Sequence, residues 1–442
     1  MTSAGLPWTA SREEPGGVPL DPGPGLPRIE SLSKQRGEPD WMLRLRLRAL
    51  ERIRTDGVPS WASFLRDVDF DGLVEPDGSP APDALASDDA SIVPGLGALA
   101  ASEEAYRVVR KGLEAQGVVF LGLPAALDRL PDLVKTHFAS VIAADSTPFA
   151  ALDAALWTGG SFVYVPPGVR VAVPLQAEIR EDYRKVEPVE RNVIVADRDS
   201  EVTYIEGCTA PVYTQDELHV SAIEVVVMPG SHVKYIALQN FSKAVHNLVT
   251  KRASVHRDAS VEWVDVNLGS RRTWKVPRAE LLGPGASAEF VGVAFAGKGQ
   301  AEDVGAEMVH LAPRTRSRIV NHGIVQGGGR ASLRSGVCVA PGATDVTASV
   351  EWSSLLLDAE SRADTIPSIE LDEAGAEIDQ TGSVRQVNDD MLFYMTSRGV
   401  TRDEALQLVV LGMAGIATRR IPVEYAVEVD RLLELELAGG IG

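Results

Sequence analysis

Through the middle of the chain, short runs of alternating apolar and polar positions are separated by small turn residues at a nearly constant interval. The runs begin at Ser200 (DSEVTY), Ser231 (GSHVKY), Ala259 (DASVEW), Ala286 (GASAEF), Thr315 (RTRSRI) and Ala343 (GATDVT), with steps of 31, 28, 27, 29 and 28 residues. Each step holds roughly two strands of about 5 to 8 residues, and a fixed turn interval is the mark of a solenoid, since a sandwich has no need of one. The pattern predicts a β-helix over residues 151–385, with two packed sheets around a Val/Ile/Leu interior.

Upstream, WTGGSFVYVPPGVRVAVPLQAEIR (Trp157 to Arg180) reads as a Gly-Gly turn, a strand from Phe162 to Val165, a Pro-Pro-Gly turn and a second strand in which Val169, Val171 and Val173 alternate with other residues. In YIEGCTAPVYT (Tyr204 to Thr214), Cys208 follows a strand directly, between Gly207 and Thr209, and Pro211 closes the turn.

The flanks change period. Residues 1–36 carry Pro7, Pro15, Pro19, Pro22, Pro24 and Pro27 among many glycines, too little apolar surface to offset chain entropy, and are expected to be a mobile tail. Residues 37–150 read as a mixed, mostly helical region. EPDWMLRLRLRALERI sets Trp41, Leu43, Leu45, Leu47 and Leu50 among arginines, giving a helix with an apolar and a basic face. A loose stretch from Asp69 to Pro94 follows, then a helix bracketed by Ser102, Glu104 and Gly117, the run VVFLGL, and a helix from Pro124 to Ser140. Residues 386–442 form a helical subdomain: Asn388 caps one helix and Gly399 stops it, Thr401 and Glu404 have capping-box spacing, and Pro422 opens a third helix with Val423, Ala426 and Val427 on one face.

Charge narrows the function. With 62 acidic against 43 basic residues the net charge is −19, which repels phosphate backbones and anionic lipid. No apolar run reaches the roughly 20 residues of a membrane helix, and no signal-peptide pattern is present, so a cytoplasmic protein is expected. Its two cysteines, Cys208 and Cys338, read as free thiols.

The segments GGSFVYVPPGV, PLQA, ERNVIVAD, YIEGCTAP, LQNF, NLVTKRA and FAGKGQ resemble the SufB/SufD family, the β-helical subunits of the iron–sulfur cluster assembly complex, and EGCTAP resembles the SufB branch. The likeness runs from about Glu38 to the C-terminus. It implies that Cys208 accepts sulfur from a donor protein of SufE or SufU type, with Arg180, Gln239 and Lys251 as supporting interior residues. Persulfide chemistry needs a reachable thiol with thiolate character. Outside the family context, a lone cysteine is more often a small core residue. The LFYMTSRG-type helix and EYAVEVDRLLELELAGG imply docking of a SufC-like ATPase through Met391, Leu392, Phe393, Tyr394, Arg398, Glu424 and Tyr425, so ATP enters through the partner. A SufD-like subunit or a second copy is the implied partner for the solenoid.

The chain departs from the family pattern at several places. Asp182 replaces an asparagine and Phe241 a tryptophan. More consequentially, VEWSSLLL puts Trp352 where SufB has a second cysteine, and DQTG puts Gln380 and Thr381 where a histidine and a glutamate contribute to the nascent cluster. Cluster iron is held by thiolate or imidazole, for which indole, amide and hydroxyl are poor substitutes. Cys338 lies 14 residues before Trp352, half a repeat, but in SGVCVAPG it alternates with Val337 and Val339 and so faces away from a core that holds the valines. None of the seven histidines has metal-site spacing, and GGGR at Gly327 to Arg330 has no GK(S/T) and reads as a solenoid turn.

Two main readings follow. The chain is a SufB-like scaffold accepting sulfur at Cys208 and forming an iron–sulfur cluster at a subunit interface, or a diverged paralogue that keeps the cysteine and the ATPase partner for sulfur transfer without building a cluster. A purely structural SufD-like partner is a third. A carbohydrate-active β-helix would want acids and aromatics along an outer groove, and no such cluster is present.

Overall fold

A computed structural model of the chain describes residues 26–56, 111–180, 189–209, 217–387 and 389–437. The central strands wind into a β-solenoid. One sheet holds β3 (Leu175–Arg180), β5 (Glu201–Thr209), β7 (His232–Phe241), β9 (Ser260–Gly269), β12 (Ser287–Ala296), β14 (Arg316–Val325), β16 (Thr347–Leu356) and β18 (Glu377–Gln386) in that spatial order. The facing sheet holds β1 (Val119–Gly122), β2 (Ser161–Val165), β4 (Val189–Ala196), β6 (Glu217–Val227), β8 (Val245–Val255), β10 (Arg272–Lys275) with β11 (Arg278–Leu281), β13 (Ala301–His310), β15 (Arg330–Val339) and β17 (Arg362–Leu371). Pairing is parallel throughout except for β1 against β2.

The turn interval read from the sequence is a backbone feature. Asp199, Gly230, Asp258, Gly285, Arg314 and Gly342, each just before a small residue of the repeat, all have positive φ. The left-handed conformation turns the chain sharply, and the small residue that follows, from Ser200 to Ala343, is buried at every coil. Inside, strand alternation builds one continuous apolar stripe. Tyr204 and Tyr235 pack with tilted rings 5.1 Å apart and Tyr235 and Trp263 5.3 Å apart, followed by Phe290, Ile319 and Val350 on later coils.

Helices cover the two outer faces. α1 (Leu26–Gln35), α2 (Asp40–Asp56), α3 (Leu123–Arg129), α4 (Pro131–His137) and α5 (Pro148–Leu156) share an apolar cluster with outward positions of β4 and β6. Two buried guanidinium groups fix this cap. Arg46 pairs with Glu38 at 2.7 Å and donates to the carbonyls of Ala155 and Trp157, while Arg191 pairs with Asp153 and Glu224. On the other side α6 (Asp389–Thr396), α7 (Arg402–Thr418) and α8 (Val423–Leu437) follow the last strand, and α7 and α8 cover outward residues of β9, β12 and β14. Arg420 clamps this subdomain to Glu262 and Glu289, and His322 Nδ1 donates to the Met413 carbonyl. The capping box of Thr401 and Glu404 is formed, and Gly399 has φ 92° just beyond α6.

Three sequence expectations are corrected. The tail expected through residue 36 contains α1, because Ile29 and Leu32, three residues apart, bury against α2; residues 1–25 lie outside the described residues, as do the loose stretch at 69–94 and Asn388. The strand expected at Val169 to Val173 is a turn with a single bridge from Arg170 to Glu201, and the strand starts at Leu175 after Pro174. The helix expected from Pro124 to Ser140 is two, split at Leu130 because Pro131 cannot continue α3.

Candidate functional site

Strand alternation sends half of each strand inward, and on one side of the interior those positions are polar. On β9, Val261 and Trp263 are core residues, and the next two in phase are Asp265 and Asn267, both buried. Parallel register then stacks like positions coil upon coil. Ile179, Cys208, Gln239, Asn267, Ala294 and Gly323 form one ladder across β3, β5, β7, β9, β12 and β14. Glu206, Ala237, Asp265, Gly292, Asn321 and Trp352 form the ladder beside it. The facing sheet contributes His219, Asn247, Thr273 and Glu302 at one register position.

These groups form one buried network. Lys251, fully buried, places Nζ 3.1 Å from Asp265 and 4.0 Å from Glu206, and sits 4.7 Å over the Tyr235 ring. Lys275 lies 3.5 Å from the other Asp265 oxygen and donates to Gln239 Oε1 at 3.4 Å. Gln239 also accepts from Asn247 at 2.6 Å, and its amide donates to Ser270 and Thr273. Burial works against an ionised Asp265, but Lys251 and Lys275 together hold its carboxyl below the usual range. Burial dominates at Glu302, pushing its carboxyl up to about 8 against the pull of Thr273 and Lys275.

At the centre lies a cavity of about 10 Å³, room for one water-sized group. Glu206, His219, Ser221, Gln239, Asn247, Lys251 and Lys275 line it. Of the residues expected from sequence, Gln239 and Lys251 therefore meet at one place. Cys208 is the register neighbour of Gln239, and Arg180 pairs with Thr209 at the end of β3; the side chains of Arg180 and Cys208 lie outside the described residues. Glu206, His219, Asp265 and Lys275 were not singled out from sequence. Their signal is a polar residue in phase with core residues of its own strand.

The far end of the row is different. Trp352 points inward and packs on Ala294, Val304 and Leu333. Gly382, its neighbour on β18, makes this fit possible, since a Cβ there would lie 2.0 Å from the indole. Gln380 and Thr381 share that last coil. Among the described residues no three His, Cys, Asp or Glu side chains are placed to hold a metal ion. The donors at this end do not fit an iron–sulfur cluster. Val337 and Val339 belong to the core and Cys338 to a small separate cluster with Val309. Burial, with Glu370, Asp372 and Glu307 nearby, pushes the Cys338 thiol up to about 12, which makes it a poor thiolate.

The docking residues expected at the C-terminus divide. Phe393 and Tyr394 are 69% and 63% exposed, with Arg398 stacked on Tyr394, and Val423 and Val427 are exposed on α8. Leu392 is buried instead, on a helix that packs against α7. Tyr425 is half-buried and donates to Gln176 on β3. The side chain of Met391 lies outside the described residues.

Comparison with known proteins agrees with this architecture. The family model for the SUF system FeS cluster assembly SufBD core domain matches residues 180–413, and that for the SufBD protein N-terminal region matches residues 102–177. The chain belongs to the SufBD family. An iron–sulfur cluster assembly SufBD family protein of Staphylococcus haemolyticus is 39% identical over 94% of this chain and 93% of its own length. A relative of that description in Staphylococcus epidermidis is 39% identical and one in Staphylococcus aureus 38% identical, over the same shares. Within the SufBD family framework, the solenoid and the helical subdomain are thus parts of a protein of iron–sulfur cluster assembly. No described helix is long and apolar enough to cross a membrane.

Proposed function

We propose that the chain is a SufB-like subunit that accepts sulfur at Cys208 and works with a SufC-like ATPase in the cytoplasm. One observation carries the reading: the family's EGCTAP cysteine is the register neighbour of Gln239, and Gln239 lines a buried polar cavity with Lys251 and Lys275. In the transfer, the Cys208 thiolate attacks the outer sulfur of a persulfide on a SufE- or SufU-type donor. The donor S–S bond breaks, the donor leaves as thiolate, and Cys208 carries the persulfide. In this reading, the Lys251 and Lys275 ammonium groups that line the cavity with Gln239 would favour the thiolate form of Cys208.

Two exposed apolar surfaces suit the partners. Phe393, Tyr394, Val423 and Val427 offer a site for the ATPase subunit, which supplies all ATP hydrolysis. Ile366, Ile369, Leu371 and Val384 are exposed on β17 and β18, the end strands of the two sheets, where a SufD-like subunit or a second copy can continue both sheets.

A second reading is favoured by Trp352, Gln380 and Thr381: sulfur is accepted and passed on, but no cluster is built on this subunit. Iron and acid-labile sulfide after anaerobic reconstitution with a sulfur donor separate the readings, measured on the protein alone, with its ATPase partner, and as Cys208→Ala. Stoichiometric iron and sulfide that depend on Cys208 support the scaffold. Sulfur on Cys208 without iron supports transfer alone, and neither signal leaves a structural subunit.

A further inference from the structure

The helical subdomain holds the solenoid at points far apart along its length. Just before α8, Arg420 pairs with Glu262 on β9 and Glu289 on β12. At the end of α8, the Glu436 carbonyl accepts from Gln326, just after β14, and its carboxylate lies 3.5 Å from Lys243, just after β7. Near the start of α8, Tyr425 donates to Gln176 on β3 at 2.5 Å, a bond between residues 249 apart in the chain. Each coil of a solenoid contacts only its neighbours. A helix bonded to separate coils therefore joins elements that the repeat leaves independent.

The strand at the far end of this brace is the one that most needs a hold. β3 is six residues long, pairs with β5, and is last in its sheet, with no described strand beyond it. A short end strand of this kind opens more readily than the strands inside the sheet. The first turn of α8 is held no more firmly, since the buried residues of this helix begin at Val429. Ahead of Val429, Tyr425 packs on the apolar cluster that includes Ile205, the register neighbour of Gln176. Val423 and Val427, 74% and 65% exposed, lie two residues to either side of Tyr425 and so project from the opposite side of the helix. One turn thus presents an apolar pair outward and grips an edge strand inward.

We propose that Tyr425 is a positioning residue that straps β3 to α8, so that a partner docked on Val423 and Val427 orders the edge strand beneath. The proposal rests on the reading that an ATPase subunit docks on this face. The two states are the first turn of α8 seated, with Tyr425 on Gln176, and the same turn frayed. Val423 and Val427 stand side by side only when the turn is helical, so the partner binds the seated state and shifts the population toward it. Tyr425 acts from the side of the helix turned away from the partner, without touching it.

Hydrogen–deuterium exchange of the β3 amides tests the strap in full-length protein, with circular dichroism to verify folding. In the unbound chain Tyr425→Phe, which keeps the ring and removes the hydroxyl, and Gln176→Leu should each speed exchange across β3 about threefold or more. The double variant should go no further than either single one, and β14 should be unchanged in all three. In complex with the ATPase subunit, β3 of the parent should exchange more slowly than in the unbound chain. Tyr425→Phe should still bind that subunit, since its ring faces β3, but binding should no longer slow β3. Unchanged exchange in unbound Tyr425→Phe overturns the strap, and so does equal slowing on docking in parent and variant. Loss of binding in Tyr425→Phe would make position 425 a partner contact and overturns it as well. If the parent itself fails to bind, the docking reading falls, while exchange in the unbound variants still decides whether Tyr425 holds β3.

Discussion

Buried charge gives this interior its sharpest single-residue consequences. Asp265 is shared by two buried ammonium groups, and removing the carboxylate leaves both without their nearest counter-charge. Asp265→Asn is expected to cost about 3–5 kcal/mol, read as a lower urea midpoint with an unchanged slope. Glu302 works in the opposite sense. Its carboxyl, raised to about 8 by burial, stays protonated in the folded state across a range where the unfolded chain has lost the proton. The unfolded state then binds fewer protons, so stability falls as pH rises from the ordinary carboxylate value toward 8, by up to about 1.4 kcal/mol per unit. Glu302→Gln keeps the shape and removes the titration, and should be more stable than the parent at pH 8 and near it at pH 5. His310, buried with its ring nitrogens on Thr315 and Ser317, is lowered to about 4. It costs stability as pH falls from its ordinary value to 4. Urea midpoints from pH 4 to 8 should therefore trace a dome in the parent, and the alkaline limb should flatten in Glu302→Gln.

At the scale of elements, the repeat lives in the turns and the candidate site lies between them. Equivalent turn positions are filled by different residues in the same left-handed conformation, Gly285 at φ 77° and Arg314 at φ 57°. Gly285→Ala would strain that backbone and drive a Cβ to 2.2 Å from the Asp258 carboxylate, for a loss of about 1–3 kcal/mol. Arg314→Gly relieves the same strain and should cost little or stabilise slightly, a contrast that melting temperatures of the two variants can check. These turns were legible in the sequence because a solenoid repeats its backbone, and Ser200, Ser231 and Ala259 keep the interval visible. The polar interior was only half legible. Asp265 and Asn267 keep phase with Val261 and Trp263, which places them inside, but nothing in the chain says that Lys275, from a short strand of the facing sheet, meets them. Trp352 was readable as a departure; its seat over Gly382 exists only through the register of β16 on β18.

For the whole molecule, the two apolar surfaces belong to separate structures, one on the end strands of the solenoid and one on helices that pack against its flank. Each is available because its element has no further neighbour among the described residues: β17 and β18 end their sheets, and α6 and α8 turn Phe393, Tyr394, Val423 and Val427 away from α7 and the strands. An assembly built through both should come apart in two independent ways. Ile369→Asp with Leu371→Asp puts charge among exposed residues and should abolish association with a second solenoid while leaving the melting temperature nearly unchanged. On the proposed docking of an ATPase subunit, Phe393→Asp with Tyr394→Asp should release that subunit and leave solenoid pairing intact. Light scattering on co-purified complexes distinguishes the two losses by mass. Loss of both partners from either variant would mean that the surfaces are coupled, as they would be if ATPase docking shifted the helices on the Arg420 clamp and changed the presentation of the solenoid end. In that case breaking the clamp with Arg420→Ala should restore independence, because Glu262 and Glu289 are its anchors on β9 and β12.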